Sequence, residues 1–181
     1  GFSVAASGDV LVIGEPGSSQ VRVFDRFGAS VVFRDALPQK GINFGRSVAV
    51  SGSTGARSWS GAVSRPTVAA TGDGEVAVFE WSAEGGWEDI SPTFNMASSE
   101  MNAQSVSVGL GDEGRVLVAY QYSNDFGIGQ ATVWKRKSGF DVWDDAGTIL
   151  CPCSHFSMSE DGSILASASS SDATATVYSY D

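Results

Sequence analysis

One pattern returns four times along the chain and constrains its fold more than any other feature. Phe2-Ser3-Val4-Ala5-Ala6-Ser7-Gly8-Asp9 is echoed by Arg46-Ser47-Val48-Ala49-Val50-Ser51-Gly52-Ser53, by Gln104-Ser105-Val106-Ser107-Val108 and by Phe156-Ser157-Met158-Ser159-Glu160-Asp161-Gly162. Aligned on serine, the copies start at Ser3, Ser47, Ser105 and Ser157. Each is followed by a second run closing on an aromatic residue: Val21-Arg22-Val23-Phe24, Val76-Ala77-Val78-Phe79, Ala131-Thr132-Val133-Trp134 and Ala175-Thr176-Val177-Tyr178. Between the two lie Val10-Leu11-Val12-Ile13, Val116-Leu117-Val118 and Ile164-Leu165-Ala166. A fixed repeat is read before individual strands, because every copy must fold to the same unit.

These runs are short, bounded by Gly, Ser and Asp, and free of helical periodicity, which predicts antiparallel strands A, B and C in each unit. A strand D is expected after Gly28 (Ser30 to Phe33), after Gly86 (from Trp87) and after Gly139 (Phe140 to Trp143), and the last unit reaches Asp181 without one. A four-stranded unit of this length is propeller-blade spacing. The expectation is an all-β, β-propeller-like array of about four antiparallel four-stranded blades, the last incomplete, forming a single domain over 1–181 with repeats near 1–43, 44–103, 104–154 and 155–181. Val23, Val78, Val133 and Val177 should then occupy equivalent buried positions. The second unit departs from the pattern: Thr54 to Arg65 reads as a long loop containing Trp59, with Thr67 to Thr71 as a displaced strand B. A second long connection, Ser91 to Ala103, carries Met96 and Met101.

The repeat resembles the FG-GAP propeller family, whose units run Phe-Gly, Ser-Val-Ala-x-Ser, an apolar strand with Gly-x-Pro, and a closing Val-x-Val-Tyr/Phe. Phe44-Gly45-Arg46-Ser47-Val48-Ala49-Val50-Ser51 and Val12-Ile13-Gly14-Glu15-Pro16 carry the resemblance best. It implies a propeller of the integrin-alpha type, some of whose blades hold calcium in Asp-x-Asp-x-Asp-Gly loops. Ser159-Glu160-Asp161-Gly162 and Gly111-Asp112-Glu113-Gly114 lack those alternating carboxylates and read as hairpin turns, so no metal is expected.

The net charge of −10 opposes nucleic acid and anionic membrane surfaces alike. No stretch approaches the roughly 18 apolar residues of a spanning helix. The start at Gly1, inside a strand, suggests a piece of a longer or processed chain. Cys151 and Cys153, separated by one proline, are too few for a zinc site and read as reduced thiols at the mouth of a turn, with a strained local disulfide as the alternative.

Chemical motifs are sparse. Gly109-Leu110-Gly111-Asp112-Glu113-Gly114 has dinucleotide-binding spacing, but a strand rather than a helix follows, which predicts a turn and no cofactor. His155, the sole histidine, has no Gly-x-Ser-x-Gly nucleophile to serve and reads as a rim residue just ahead of strand A. Glu15, Asp35, Glu75 and Asp112 are the carboxylates available for acid-base work, none singled out by spacing. The aromatics ending strand C are expected to pack between blades.

With no catalytic signature, the residues point to a non-enzymatic structural or protein-interaction module within a larger assembly. The alternative is a carbohydrate-binding or glycoside-hydrolysing propeller acting through Trp59 and carboxylates on one face. The open edge of the last unit, the Thr/Val/Tyr-rich segment Ala173 to Tyr180 without Pro or Lys, is expected to accept a strand from a protein partner or neighbouring subunit, or from an absent part of the same precursor. The expected contact residues are Trp59, Met96, Met101, Thr174, Thr176, Tyr178 and Tyr180.

Overall fold

A computed structural model describes residues 1–52, 65–72, 75–82, 84–91, 103–111, 114–123, 128–137, 142–151, 155–169 and 173–179, of which 103–107, 121–123, 128, 151 and 155 are described by backbone alone. The four repeats are four antiparallel sheets. Blade 1 comprises β1 (Ser3–Ser7), β2 (Val10–Glu15), β3 (Gln20–Phe27) and β4 (Ser30–Ala36); blade 2 comprises β5 (Val48–Ser51), β6 (Thr67–Thr71), β7 (Val76–Ser82) and β8 (Gly86–Asp89). Blade 3 is built from β9 (Ala103–Gly111), β10 (Val116–Ser123), β11 (Ile128–Arg136) and β12 (Trp143–Cys151), and blade 4 from β13 (His155–Met158), β14 (Ile164–Ser169) and β15 (Thr174–Ser179). Each sheet is a meander in sequence order, and the first strands β1, β5, β9 and β13 stand side by side around the inside of the array. The chain is thus a four-blade β-propeller array with an incomplete last blade. The displaced strand at Thr67–Thr71 forms as expected. Strand D of blade 3 does not: it starts at Trp143 instead of ending there, and Phe140 lies outside the described residues.

Packing between blades follows from the period of two in a strand, which gives each sheet one face toward the next blade and one toward the blade before. Val10, Val12, Val21 and Val23 form the forward face of blade 1 and meet Val48, Val50, Val68, Ala70 and Phe79 of blade 2. Ala49, Ala69, Val76 and Val78 then face Val108, Leu117, Ala119 and Trp134 of blade 3. Val116, Val118, Ala131 and Val133 face Phe156, Met158, Leu165 and Tyr178 of blade 4. Three of the four strand-C aromatics therefore pack between blades, Phe79 fully buried, Trp134 nearly so and Tyr178 partly, whereas Phe24 lies on the face of blade 1 turned away from blade 2 and packs edge-on against Phe33 of β4. Val23, Val78 and Val133 are all 0% exposed, whereas Val177 is 68% exposed, against expectation, because it lies on the forward face of blade 4 with no blade in front of it.

The register also corrects the serine alignment. Val4, Val48, Val108 and Phe156 are the true counterparts, paired with Ile13, Ala70, Ala119 and Ser167. Ser3 and Ser47 therefore match Ser107 and His155, two residues from the serines chosen by sequence. A two-residue slip leaves every side chain on its own face, so alternation cannot detect it. The first two serines tie blades together: the Ser3 hydroxyl donates to the carbonyl of Gly45 at 2.9 Å, and the Val108 amide donates to the Ser47 hydroxyl at 3.3 Å. Gly109 and Gly111 belong to β9 rather than to a turn, and a Cβ on Gly111 would stand 2.6 Å from the Cα of Gly162. Those glycines let the backbones of blades 3 and 4 approach.

Candidate functional site

The end of the array where the inner strands begin carries a 3-10 turn, the connection between blades 1 and 2 and several charged side chains. Glu15 closes β2, and Pro16 starts a single 3-10 turn over Pro16–Ser18, where its fixed φ suits a first helical position. Ser19, left-handed at φ 51°, ends the turn by donating its amide to the Pro16 carbonyl at 3.0 Å. The Glu15 carboxylate is held by Arg22 Nη2 at 3.2 Å and accepts from the Ser18 hydroxyl at 3.4 Å.

The connection from β4 to β5 crosses this end and joins blades 1 and 2. Its entry is fixed by Leu37, buried, with its amide on the Val21 carbonyl at 2.9 Å. The Asn43 amide donates to the Ser19 hydroxyl at 3.0 Å, and the amides of Gly45 and Arg46 both donate to the carbonyl of Thr71, at 2.9 and 3.1 Å. Phe44 drops into the interblade core edge-on to Phe79. Gly45 has φ +92°, and a Cβ there would lie 2.6 Å from the Gln20 carbonyl, so both backbone conformation and space demand glycine. Further back in the same connection, Gly41 lies beside the Glu75 carboxylate, where a Cβ would stand 3.1 Å from Oε2. Lys40 pairs with Asp89, whose carboxyl burial would raise in pKa but which the hydrogen bonds from Lys40 and Ser91 hold below its usual value.

The connection thus brings two turns of neighbouring blades, each carrying a carboxylate, onto one end: Glu15 partly buried and Glu75 exposed, with Arg22 paired to Glu15, Lys40 paired to Asp89, and Arg46 following Gly45 in the connection. Of the four carboxylates considered from sequence, Asp35 lies near the end of the outer strand β4 with its Oδ1 accepting from the Ala36 amide at 2.8 Å, and Asp112 lies outside the described residues. Sequence reasoning did not find the basic residues or the connecting segment. Their only signal was Phe44-Gly45, read as the start of a repeat.

No protein-family model matches the chain, and no curated protein sequence matches it. Solved structures do. A candidate 6-phosphogluconolactonase from Bacteroides fragilis superposes with a TM-score of 0.65 at 16% identity over 96% of this chain and 48% of its own. A second, from Bacteroides uniformis, gives 0.66 at 14% identity over 99% and 50%. The periplasmic gluconolactonase of Pseudomonas aeruginosa gives 0.63 at 17% identity, again over 99% and 50%. The chain shares the fold of these propellers and spans about half their length. This finding overturns the expectation of a non-enzymatic structural or interaction module, because the propellers whose fold covers almost the whole of this chain are named for a reaction. That expectation took missing motifs for missing chemistry, yet a general base and hydrogen-bond donors need no sequence motif.

Of the contact residues expected from sequence, three lie among the described residues. Thr174 and Thr176 are exposed on β15, Tyr178 is partly buried against blade 3, and Trp59, Met96, Met101 and Tyr180 lie outside the described residues, as does Cys153. His155 is the first residue of β13, opposite Ala168, rather than preceding the strand. Among the described residues no three His, Cys, Asp or Glu stand together as a metal site, and no helix is long and apolar enough to cross a membrane.

Proposed function

We propose that this chain supplies half of a propeller that hydrolyses sugar-derived lactones at the end where its inner strands begin. The observation that carries this reading is the fold shared with lactonase-named propellers over nearly the whole chain. Glu75, exposed beside the connecting segment, acts as general base: it takes a proton from water as the water oxygen attacks the lactone carbonyl, the ring C–O bond breaks, and the freed hydroxyl is protonated. Arg22 and Arg46 stand at the same end, where cations hold a carboxylate or phosphate on the sugar.

The test follows disappearance of gluconolactone and of its 6-phosphate above the buffer rate, in the same preparation used for a glycoside panel. A catalysed rate reduced about 100-fold in kcat by Glu75→Gln, with the melting temperature unchanged, is the expected result for a general base. Wild-type protein with no rate above buffer on either lactone overturns the proposal, and turnover of a glycoside instead of a lactone moves the carbohydrate chemistry to a different bond.

A further inference from the structure

The segment joining β4 to β5 lies against the turn from β6 to β7, the turn that carries Glu75. That turn is closed by the Gly72 amide, which donates to the Glu75 carbonyl at 3.0 Å. Three sets of contacts fix the segment on it. At its exit, the Gly45 and Arg46 amides donate to the Thr71 carbonyl, and the Ser47 amide donates to the Thr71 hydroxyl at 3.1 Å. In its middle, the carbonyls of Lys40 and Ile42 approach Gly72 so closely that a Cβ there would stand 3.1 and 2.9 Å from them. At its start, Lys40 Nζ pairs with Asp89 at the end of β8, and the Ser91 amide donates to the same carboxylate at 3.0 Å.

Between these contacts sits Gly41, at φ +68°, where a Cβ would stand 3.1 Å from Glu75 Oε2 and 3.6 Å from its carboxyl carbon. Space alone demands glycine at 72, whereas at 41 both the left-handed backbone and the neighbouring carboxylate demand it. Among the described residues, no hydrogen bond or ion pair holds the Glu75 carboxylate. Packing against the backbone of residue 41 is therefore a contact that limits where its oxygens stand.

We propose that Gly41 is a positioning residue: clamped to blade 2 on both sides, it seats the Glu75 carboxylate where the attacking water gives up its proton. The role in hydrolysis rests on the reading of Glu75 as general base; the seat itself rests on the packing. A side chain at 41 pushes the far end of a flexible glutamate by a few tenths of an ångström. Such a shift costs little stability, but a misplacement of about 1 Å at a reacting centre costs roughly 100-fold in rate.

Gly41→Ala introduces two faults, a strained left-handed backbone and a displaced carboxylate, and Gly28→Ala separates them. Gly28 has φ +60°, lies in the turn from β3 to β4 at the opposite end of the array, and a Cβ there meets nothing within 4 Å. Both variants should lower the melting temperature. Only Gly41→Ala should lower kcat on the lactone that the wild type turns over, by about 10-fold with KM within about twofold, and in a Glu75→Gln background it should have no further effect. Lys40→Met, which releases the segment from Asp89 at an exposed ion pair, should lower kcat in the same sense by about threefold even if Gly41→Ala does not fold. An equal loss in Gly28→Ala, a loss that persists without the Glu75 carboxylate, or an unchanged kcat in both Gly41→Ala and Lys40→Met overturns the proposal. Carbon-13 carboxyl spectra read the seat without turnover: the Glu75 resonance, assigned by its absence in Glu75→Gln, should move in Gly41→Ala and stay in place in Gly28→Ala. A resonance unmoved in Gly41→Ala overturns the seat, while a moved resonance in a protein with no lactonase rate keeps the seat and refutes the reaction alone.

Discussion

The junction between blades 1 and 2 and that between blades 3 and 4 share a register but are filled differently. In the first, the strands are joined by the connecting segment, which adds Leu37 and Phe44 to the core and bonds to both blades. Outside the core, Arg34 lies 4.7 Å over the Trp81 ring while its Nε contacts Asp25 at 2.6 Å, binding blade 1 to blade 2 a second time. In the last junction, Phe156 meets Tyr120 edge-on with ring centroids 5.8 Å apart, and glycines bring the backbones together. The comparison teaches that the period-two apolar layer is the common requirement, and that each junction finds its own way to close the remaining space.

The largest effect is expected where an aromatic bridges the first junction. Phe79→Ala should cost about 3 to 5 kcal/mol in chemical denaturation, since it removes a fully buried ring that also supports Phe44. Val23→Ala should cost about 1 to 3 kcal/mol, while the counterpart Val177→Ala should change stability by less than about 0.5 kcal/mol. Equal costs at those two positions would break the distinction between interior and end faces.

Between blades 2 and 3, Arg136 Nη1 donates to Glu80 Oε1 at 2.7 Å, both side chains being under one-fifth exposed. A double-mutant cycle with Arg136→Met and Glu80→Gln should give a coupling of about 1 kcal/mol, with Arg65 on the other carboxylate oxygen as a partial substitute.

The smallest effect belongs to the turn between β13 and β14. The Ser159 hydroxyl donates to Asp161 at 2.6 Å, and the Ser163 amide and hydroxyl donate to it as well, which holds its pKa down to about 2. The folded state favours the ionised carboxylate, so this stabilisation is complete above the unfolded value of 3.8 and is lost as pH falls through about 2. Carboxyl carbon shifts should report that low titration, and Asp161→Asn should flatten the pH dependence of amide exchange in the turn. A titration at the unperturbed value would show that the serines do not grip the charge.

Much of the fold was legible because the repeat sets strand order and the alternation sets faces. The strand-C valines were aligned correctly, since a Val followed directly by an aromatic stands in strand C of every unit. The strand-A serines were misaligned in blades 3 and 4, because a shift by two preserves the alternating pattern and only backbone pairing separates the choices. The candidate site was less legible. Glu15 and Glu75 are 60 positions apart in sequence, and nothing local relates them.

The sequence by itself determined that the chain makes four β units, which residues in each strand turn inward, and where the aromatics that seal the junctions lie, because these follow from periodicities within a few residues. Tertiary structure decided what no local pattern contains: that Val177 is open where Val133 is closed, that Gly111 meets Gly162, and that one connecting segment brings the turns of Glu15 and Glu75 to the same end. Burial depends on what stands in front of a face, and that neighbour comes from another part of the chain or from another molecule.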